Sequence, residues 1–350
     1  MHIFGWKYFA KHINNTSMTH RFTIKAIAAQ SGLGVATIDR VLNVRANVSA
    51  QTKARVAAAM SELEAQEGQL AARGRTVWVD VVVEAPQRFS REIRQAAETA
   101  MPMMRPVVVR PRFTMHEVVE VSQMVATLRR IARRGTGGVC LKARDVPLIR
   151  AEVASLVAKG IPVVTLVTDV PGRLAYAGVD NVRAGQVAAA LIARQVQTGV
   201  VVTSQSREDF AGETARISAF RAALANLAPN VRIVALPVAA GLNTATSRAA
   251  TQTLAQVGDV SGVYSGGGGN RAISAALSNR PIVFVAHDLD DDNKALLSEG
   301  GIDFVLHHDL VSDMQTAFRH ILGAHGLAGP VQQQLADVQV ILRENMPTDG

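Results

Sequence analysis

From Thr23 the apolar positions fall at helical spacing. Ile24, Ile27 and Ala28 share one face, and Thr23 is placed to cap the first turn. Ser31-Gly32-Leu33-Gly34 breaks that pattern. Val35, Ile38, Val41 and Leu42 then mark a second short helix over about 35–42. Asn43 to Val48 is polar. Ser49 is placed to cap a third helix over about 50–63, whose Val56, Ala59, Met60 and Leu63 lie together. Helix, glycine turn, short helix, loop and longer helix is the spacing of a helix-turn-helix bundle. That predicts a DNA-binding domain over 21–63. Residues 1–20 have no period and read as a loose leader, with Met18 as an alternative start to Met1. Residues 64–76 (EAQEGQLAARGRT) are small and polar, and read as a hinge linker.

From Val77 the texture changes. Short Val- and Ile-rich runs at 77–83, 106–110, 138–141, 161–167, 199–203, 231–236, 262–264, 281–286 and 303–306 read as strands. Amphipathic stretches between them, such as 116–134, 181–198, 213–226 and 244–257, read as helices. This alternation predicts parallel sheets covered on both faces, and nine strands are too many for one comfortable sheet. The body is therefore expected as two α/β lobes over 77–346.

Composition sharpens the picture. Apolar residues make up 48% of the 350, yet aromatics only 4%, which suits buried parallel strands. Cys140 is the sole cysteine, which excludes a disulfide framework and a cysteine-rich zinc module and favours a reducing compartment. No apolar run is long enough to span a membrane, and the first 20 residues lack a signal-peptide pattern, so the expected location is the cytoplasm. The net charge of +8 is unevenly placed: residues 1–75 hold ten bases against four acids, the rest twenty-seven against twenty-five. A basic head on a nearly neutral body points to an acidic polymer bound by the head.

Within the head, the second helix of the motif is the one that enters the major groove. Val35 and Ala36 open it and can touch a thymine methyl. Thr37, Asp39 and Arg40 lie on its exposed side, and Arg40 can bond bidentately to guanine or pair with a phosphate. Thr23, Asn43, Ser49 and Thr52 can cap helices and offer donors to phosphates, while Lys53 and Arg55 add charge.

The string TIKAIAAQSGLGVATIDRVLNVRANVSAQTKARVAAAMSEL resembles the head of the lactose- and galactose-repressor (LacI) family of bacterial transcription regulators. Its T-I-x-x-[IV]-A start, V-A-T-[IV]-x-R-V-L-N and V-S-x-x-T-[RK]-x-[RK]-V all stand at family spacing. The resemblance implies that Val35 and Ala36 set base preference and that Arg40 is the recognition-helix arginine. It also implies backbone-contact or capping roles for Thr23, Thr37, Asn43, Asn47, Ser49 and Thr52. Two departures stand out. Asp39 replaces a phosphate-contacting serine, so its charge needs screening by Arg40 or Lys53. The hinge stretch Glu67–Arg75 lacks the family's Pro-Asn start, and Gly74 falls near the wedge leucine's place. Leu70 could serve only in a shifted register, with Arg73 or Arg75 as the alternative hinge contacts.

The resemblance continues more weakly through VTDVPGRLAYAGVDNVRAGQVAAALI, ETARISAFRAAL and VAHDLDDDNKALLSEGGIDFVLHHDLVSDMQTAF. It implies two Rossmann-like lobes of the periplasmic-binding-protein type I architecture, at about 76–177 plus 308–325 and 178–307 plus 331–346. Loops at the strand C-termini would line a cleft between them. Arg216 matches a family arginine that bonds effector hydroxyls, and Asp288 matches another cleft position; their plain alternatives are pairing with Glu213 and capping the next helix. His308 stands where members often carry glutamine. Phe89, Arg144, Asp169 and Arg207 are further loop candidates. Ser265-Gly266-Gly267-Gly268-Gly269-Asn270 replaces a sugar-contacting stretch, with Asn270 as its side-chain candidate. Its bare backbone offers an anion site or, alternatively, only a permissive turn.

Other chemistry is set aside. Arg271 occupies the third glycine's place of a dinucleotide motif, and Asn293 the obligatory glycine of an EF-hand loop. His307 and His308 would point to opposite faces of a strand, so no metal site is expected. The reading is a regulator, a repressor rather than an enzyme, without cofactor. It would bind a pseudo-palindromic operator as a homodimer under control of a sugar-like effector. A transport-system solute-binding protein and an effector-insensitive DNA binder are the alternatives.

Overall fold

The computed structural model describes residues 21–45, 48–277 and 281–347. The expected leader and Asn47 lie outside them. Two compact units divide at Leu70/Ala71.

The first unit is helical: α1 (Ile24–Ser31), α2 (Val35–Leu42) and α3 (Ala50–Ala72). Ile27, Ala28, Ile38 and Val56 form its buried centre, and Phe22, Leu33, Leu42, Met60 and Leu63 pack around them. The Thr23 hydroxyl accepts from Ala26 N–H at 3.2 Å and caps α1. Gly32 ends α1 in the left-handed region at φ +64°. A side chain there would be strained, and its Cβ would sit 3.0 Å from the Arg55 guanidinium.

One expectation is corrected here. The segment expected as linker is helical through Ala72. Its residues are mostly Glu, Gln, Ala and Leu, good helix formers with no proline. Arg21 pairs with Glu67 at 2.9 Å, and Gln30 donates to Glu62 at 2.6 Å. The apolar stripe stops at Leu63, and Glu64, Glu67 and Leu70 beyond it are exposed; periodicity reports burial, not helicity.

The second unit carries two sheets. The chain runs β1 (Thr76–Glu84), α4 (Gln87–Ala100), β2 (Val108–His116), α5 (Val121–Arg134), β3 (Gly138–Lys142), α6 (Pro147–Ala158), β4 (Val163–Leu166) and β5 (Ala175–Ala177). These strands form one parallel sheet in the order β2-β1-β3-β4-β5. It continues through α7 (Asn181–Ala193), β6 (Thr198–Ser204), α8 (Ala211–Leu227), β7 (Asn230–Ala235), α9 (Asn243–Val257) and β8 (Val260–Ser265). Then come α10 (Asn270–Ala276), β9 (Val283–His287), α11 (Asp291–Glu299) and β10 (Phe304–His307). α12 (Leu310–Ala324) crosses back to pack on α4, β4 and β5, and β11 (Gln339–Ile341) returns to pair antiparallel with β10. The second sheet thus reads β11-β10-β9-β8-β6-β7.

Each sheet has an apolar layer on both faces. In the first lobe Val79, Val81 and Val83 face one layer with Ile93, Phe318 and Ile321, while Val82, Leu141 and Val163 face the other with Leu128 and Leu156. Cys140 is buried in the first of these layers, where burial and nearby Asp80 push its thiol pKa up. β5 and β11, three residues each, were too short to register as hydrophobic runs. β2 lies later than expected because it is an edge strand: Pro111 is tolerated there, and Arg110 and Arg112 break the apolar run. β4 is shorter than expected, and α5 starts at Val121, not at 116.

Candidate functional site

The head presents α2 much as the spacing predicts. Ile38 is buried, and Val35, Ala36 and Arg40 are exposed, Val35 by 50%. Thr37 is half-buried beside them. Ser49 accepts from Thr52 N–H at 3.1 Å and caps α3, with the two hydroxyls 2.8 Å apart. Lys53 is exposed on the first turn of α3.

Asp39 is screened, but by neither expected partner. Arg45 lies 3.4 Å from its carboxylate, and the Asn43 amide donates to it at 2.8 Å and to its carbonyl at 3.0 Å. Asn43 is thereby occupied in closing the end of α2. Arg55 donates through Nε to the Ser31 carbonyl at 2.7 Å, bracing the turn between α1 and α2. Leu70 on α3 is 65% exposed, and Arg73 and Arg75 are exposed after it.

In the body, a cavity of about 50 Å³ lies between the lobes at the C-terminal ends of their strands. By the ~10–15 Å³ needed for one water, it is a narrow space, walled by charged side chains together with apolar Phe89, Val167 and Phe210. Four of the eight residues singled out in the sequence line it: Phe89, Arg216, Asn270 and Asp288.

Arg216 is 2% exposed, donating through Nε to Asn181 Oδ1 at 2.5 Å and through Nη1 to the Gly266 carbonyl at 3.2 Å. Asn181, not Glu213, is its side-chain hydrogen-bond partner. Asp288 does not cap α11, since Asp290 does, accepting from Asn293 N–H at 2.9 Å. Asp288 instead sits at φ +66°, a conformation costly for a residue with a Cβ. Asn270 donates to Asn293 Oδ1 at 2.9 Å, and Asn293 in turn donates to the carbonyls of His287 and Asp288 at 2.8 and 2.7 Å. This chain fixes the Asn270 amide and leaves its Oδ1 buried without a partner.

The other four stand off the wall. Arg144 donates to Glu84 at 3.0 Å and lies 3.7 Å from Asp209. Arg207 reaches Glu84 at 3.7 Å. These ions join the two lobes beside the cavity, helped by Asp145 N–H donating to the Asp209 carbonyl at 2.7 Å. Asp169 pairs with Arg173 at 2.8 Å and holds its own loop. His308 lies buried on the crossover into α12, donating through Nδ1 to Asp313 at 2.5 Å.

Several wall residues were not foreseen. Lys142 ends β3, buried, with Nζ 4.0 Å from the centroid of Phe210 and bonding to the Glu84 carbonyl at 3.1 Å. Burial pushes its ammonium pKa down, opposed by Glu213, Asp288 and Glu84. Glu213 faces it from the start of α8, accepting from Ser206 N–H at 2.6 Å and its hydroxyl at 2.5 Å. Burial pushes the Glu213 carboxyl pKa up against the pull of Lys142 and Ser206. The same strand-end position that marked Asp288 could have marked Lys142.

Arg88, at the start of α4, bridges the lobes by donating to Asp290 at 2.7 Å and to the Gly241 carbonyl at 2.9 Å. Asp290 is pushed up by burial, with the Asn293 N–H and Arg88 pulling the other way. The glycine loop serves this bridge. A Cβ on Gly268 would collide with the Arg88 guanidinium, and one on Gly269 with Thr246. The loop's bare backbone is packed by protein, which supports the permissive-turn reading over an open anion site. His287 is held neutral by burial beside Arg216, with Nε2 2.8 Å from the Tyr264 hydroxyl. No cluster suited to a metal ion occurs among the described residues.

A helical head of helix-turn-helix spacing and a two-lobed body with a cleft define a DNA-binding regulator with a separate binding-protein-like body. Residues 23–64 match the lacI family of bacterial regulatory proteins, and residues 81–319 the periplasmic binding protein domain. The chain belongs to the lacI family of bacterial regulatory proteins, with a periplasmic binding protein domain as its body.

Solved structures share the body's fold. The glucose-galactose binding protein GanP of Geobacillus stearothermophilus is 19% identical, covering 78% of this chain and all (100%) of its own, at a TM-score of 0.69. A Burkholderia graminis ABC transporter solute binding protein in complex with D-arabinose is also 19% identical, covering 79% and 98%, at 0.71. A Bacteroides fragilis protein assigned as a LacI transcriptional regulator is 16% identical, covering 78% and 98%, at 0.68. A search of curated proteins gives no match.

Proposed function

We propose that the protein is a cytoplasmic, sequence-specific repressor whose operator affinity is set by a sugar-like molecule in the cleft of its body. The observation that carries this is the pairing of two features in one chain. One is an exposed recognition surface of Val35, Ala36 and Arg40 on a helix anchored by Ile38. The other is a polar cavity walled by both lobes.

The cavity's chemistry suits a neutral, polyhydroxylated ligand. Three cations (Arg88, Lys142, Arg216) are matched there by three acids (Glu213, Asp288, Asp290). Donors and acceptors are therefore both present around the space, as hydroxyl groups require. The aromatic faces of Phe89 and Phe210 supply apolar wall. Two like-folded proteins are described with simple sugars, one as a glucose-galactose binding protein and one in complex with D-arabinose.

In this reading the protein acts as a homodimer, two heads facing the half-sites of a pseudo-palindromic operator. Thr23, Thr37, Ser49, Thr52 and Lys53 hold the phosphates, while Asn43 closes the end of α2. Arg55 braces the motif and adds charge. The link near Leu70, Arg73 and Arg75 adds a hinge contact. Asn47 belongs to the same set by family position. The ligand alters the balance between open and closed lobes, and a coupling of ~1–3 kcal/mol changes DNA affinity 5–150-fold. No catalysis, cofactor or membrane partner takes part; no helix among the described residues is long and apolar enough to cross a membrane.

The test has two arms. Fragments of bacterial genomic DNA are selected on the full chain, and the selected duplex is titrated in a gel shift. A thermal-shift screen then runs neutral aldoses, alditols, sugar phosphates and sugar acids, since saturation at 100 times Kd stabilises by about 2.7 kcal/mol. The expected result is one duplex preferred over random competitor, with an affinity that a stabilising sugar changes. No preference for any duplex would sink the regulator. A preferred duplex indifferent to every compound would make it an effector-insensitive binder.

A further inference from the structure

His308 sits on the crossover that leaves β10 in the second lobe and enters α12 in the first. Its ring is 2% exposed. Nδ1 donates to Asp313 on α12 at 2.5 Å. Among the described residues Nε2 has no hydrogen-bond partner, and 3.7 Å away stands Asp288 Oδ1, which has none there either. Asp288 is on the cavity wall. Its backbone is fixed, since its N–H donates to the Leu306 carbonyl at 2.9 Å and its carbonyl accepts from Asn293 at 2.7 Å. Only its carboxyl group is free to adjust.

Two buried polar atoms left unpaired are costly, and two facing each other relieve that cost by sharing a proton. With Nδ1–H committed to Asp313, a bare Nε2 would point at a carboxylate oxygen, acceptor against acceptor. A proton on either member removes the conflict. A hydroxyl or ammonium donor entering the cavity competes for the same Asp288 oxygen.

We propose that His308 is a positioning residue. It ties the pocket-facing carboxyl of Asp288 to Asp313 on the first lobe's α12, so that a donor bonded to Asp288 resets the His308–Asp313 bond at the crossover. This rests on the cleft being the ligand site. The sequence placed His308 among ligand contacts; here it acts one step behind the wall. The other ionisable groups acting on this corner include His307 and Asp309 beside it in the chain, Asp290 just after Asp288, His287 on β9, Tyr264 on β8, Arg216 on α8, Lys142 on β3 and Tyr176 on β5. All are retained in the variants below.

The full chain, labelled with ¹⁵N-histidine, is observed by NMR, and the His308 ring nitrogens are assigned by their loss in H308Q. The expected result is that D288N moves the Nδ1 resonance and its attached proton, at the nitrogen remote from the substitution. D313N correspondingly moves Nε2. F89L, on the same cavity wall, moves neither. D288G is the second variant, because asparagine and glycine both suit a backbone at φ +66°. Nδ1 resonances in D288N and D288G that coincide with that of F89L overturn the proposal, and so does loss of the fold in both Asp288 variants. The measurement contains no ligand. Its failure therefore leaves the cleft reading standing, and a failed sugar screen leaves the Asp288–His308–Asp313 link to be seen or refuted by itself.

Discussion

The head and the cleft assemble functional surfaces in opposite ways. In the head, the residues offered to a partner are exposed or half-buried and come from the single stretch 23–55, held by a small core around Ile27 and Ile38. In the cleft, the residues are buried or half-buried and arrive from α4, β3, α8, α10, β9 and α11, far apart in the chain. The lesson is energetic. The head keeps its charges in water, where they cost little. The cleft keeps Lys142, Arg216 and Asp290 out of water and Glu213 half-buried, where each depends on partners within the protein.

The largest expected contrast follows from that. Glu213→Leu takes away an acid that offsets the buried Lys142 ammonium and leaves the Ser206 N–H and hydroxyl without their acceptor, and each buried donor left unpaired costs about 1–3 kcal/mol. Urea unfolding of the body should show that loss, while the head's unfolding stays put. A loss under 1 kcal/mol would mean that water reaches these groups.

Acid should separate the regions almost as well. Burial, with His308 alongside, lowers the His307 pKa to about 4, and His287 is lowered well below the usual value of 6.5. Both bind protons more readily when unfolded. Their contribution is therefore complete above about pH 6.5 and lost as the pH falls toward 4. For His307 alone the change is ~3 kcal/mol. The head's described residues include no histidine, so its melting should not follow this step. In His307→Gln the step should shrink; an unchanged pH profile would assign it elsewhere.

Arg40→Ala should weaken specific operator binding by about 1–3 kcal/mol per head, with an unaltered circular dichroism spectrum, if the arginine reads guanine. An equal loss on random duplex would make it a phosphate contact instead. Ser49→Ala, which removes the α3 cap, should cost about 1 kcal/mol of head stability and leave the response to cleft ligands unchanged.

What could be read from the sequence follows the same divide. All three head helices, the Thr23 and Ser49 caps and the exposed face of α2 were local patterns. The extension of α3 was missed because Glu64, Glu67 and their neighbours lack an apolar stripe. In the body, buried central strands such as β1 and β9 announced themselves as valine runs, while the short β5 and β11 did not. Arg216 and Asp288 followed from family position, yet Arg144 and Arg207 were drawn to Glu84, a partner no local pattern reveals. Lys142 passed unnoticed because its role depends on Glu213 and Phe210 arriving from the other lobe.

Cys140 has a practical consequence. It is the only thiol in the sequence, fully buried in β3, with its ionisation suppressed. Maleimide dyes should pass it by. Cysteines introduced at Leu174 and Val238, exposed by 46% and 50% in different lobes, would carry the only attached dyes. Their energy transfer would follow the clamshell in real time, without a cysteine-free background having to be engineered first.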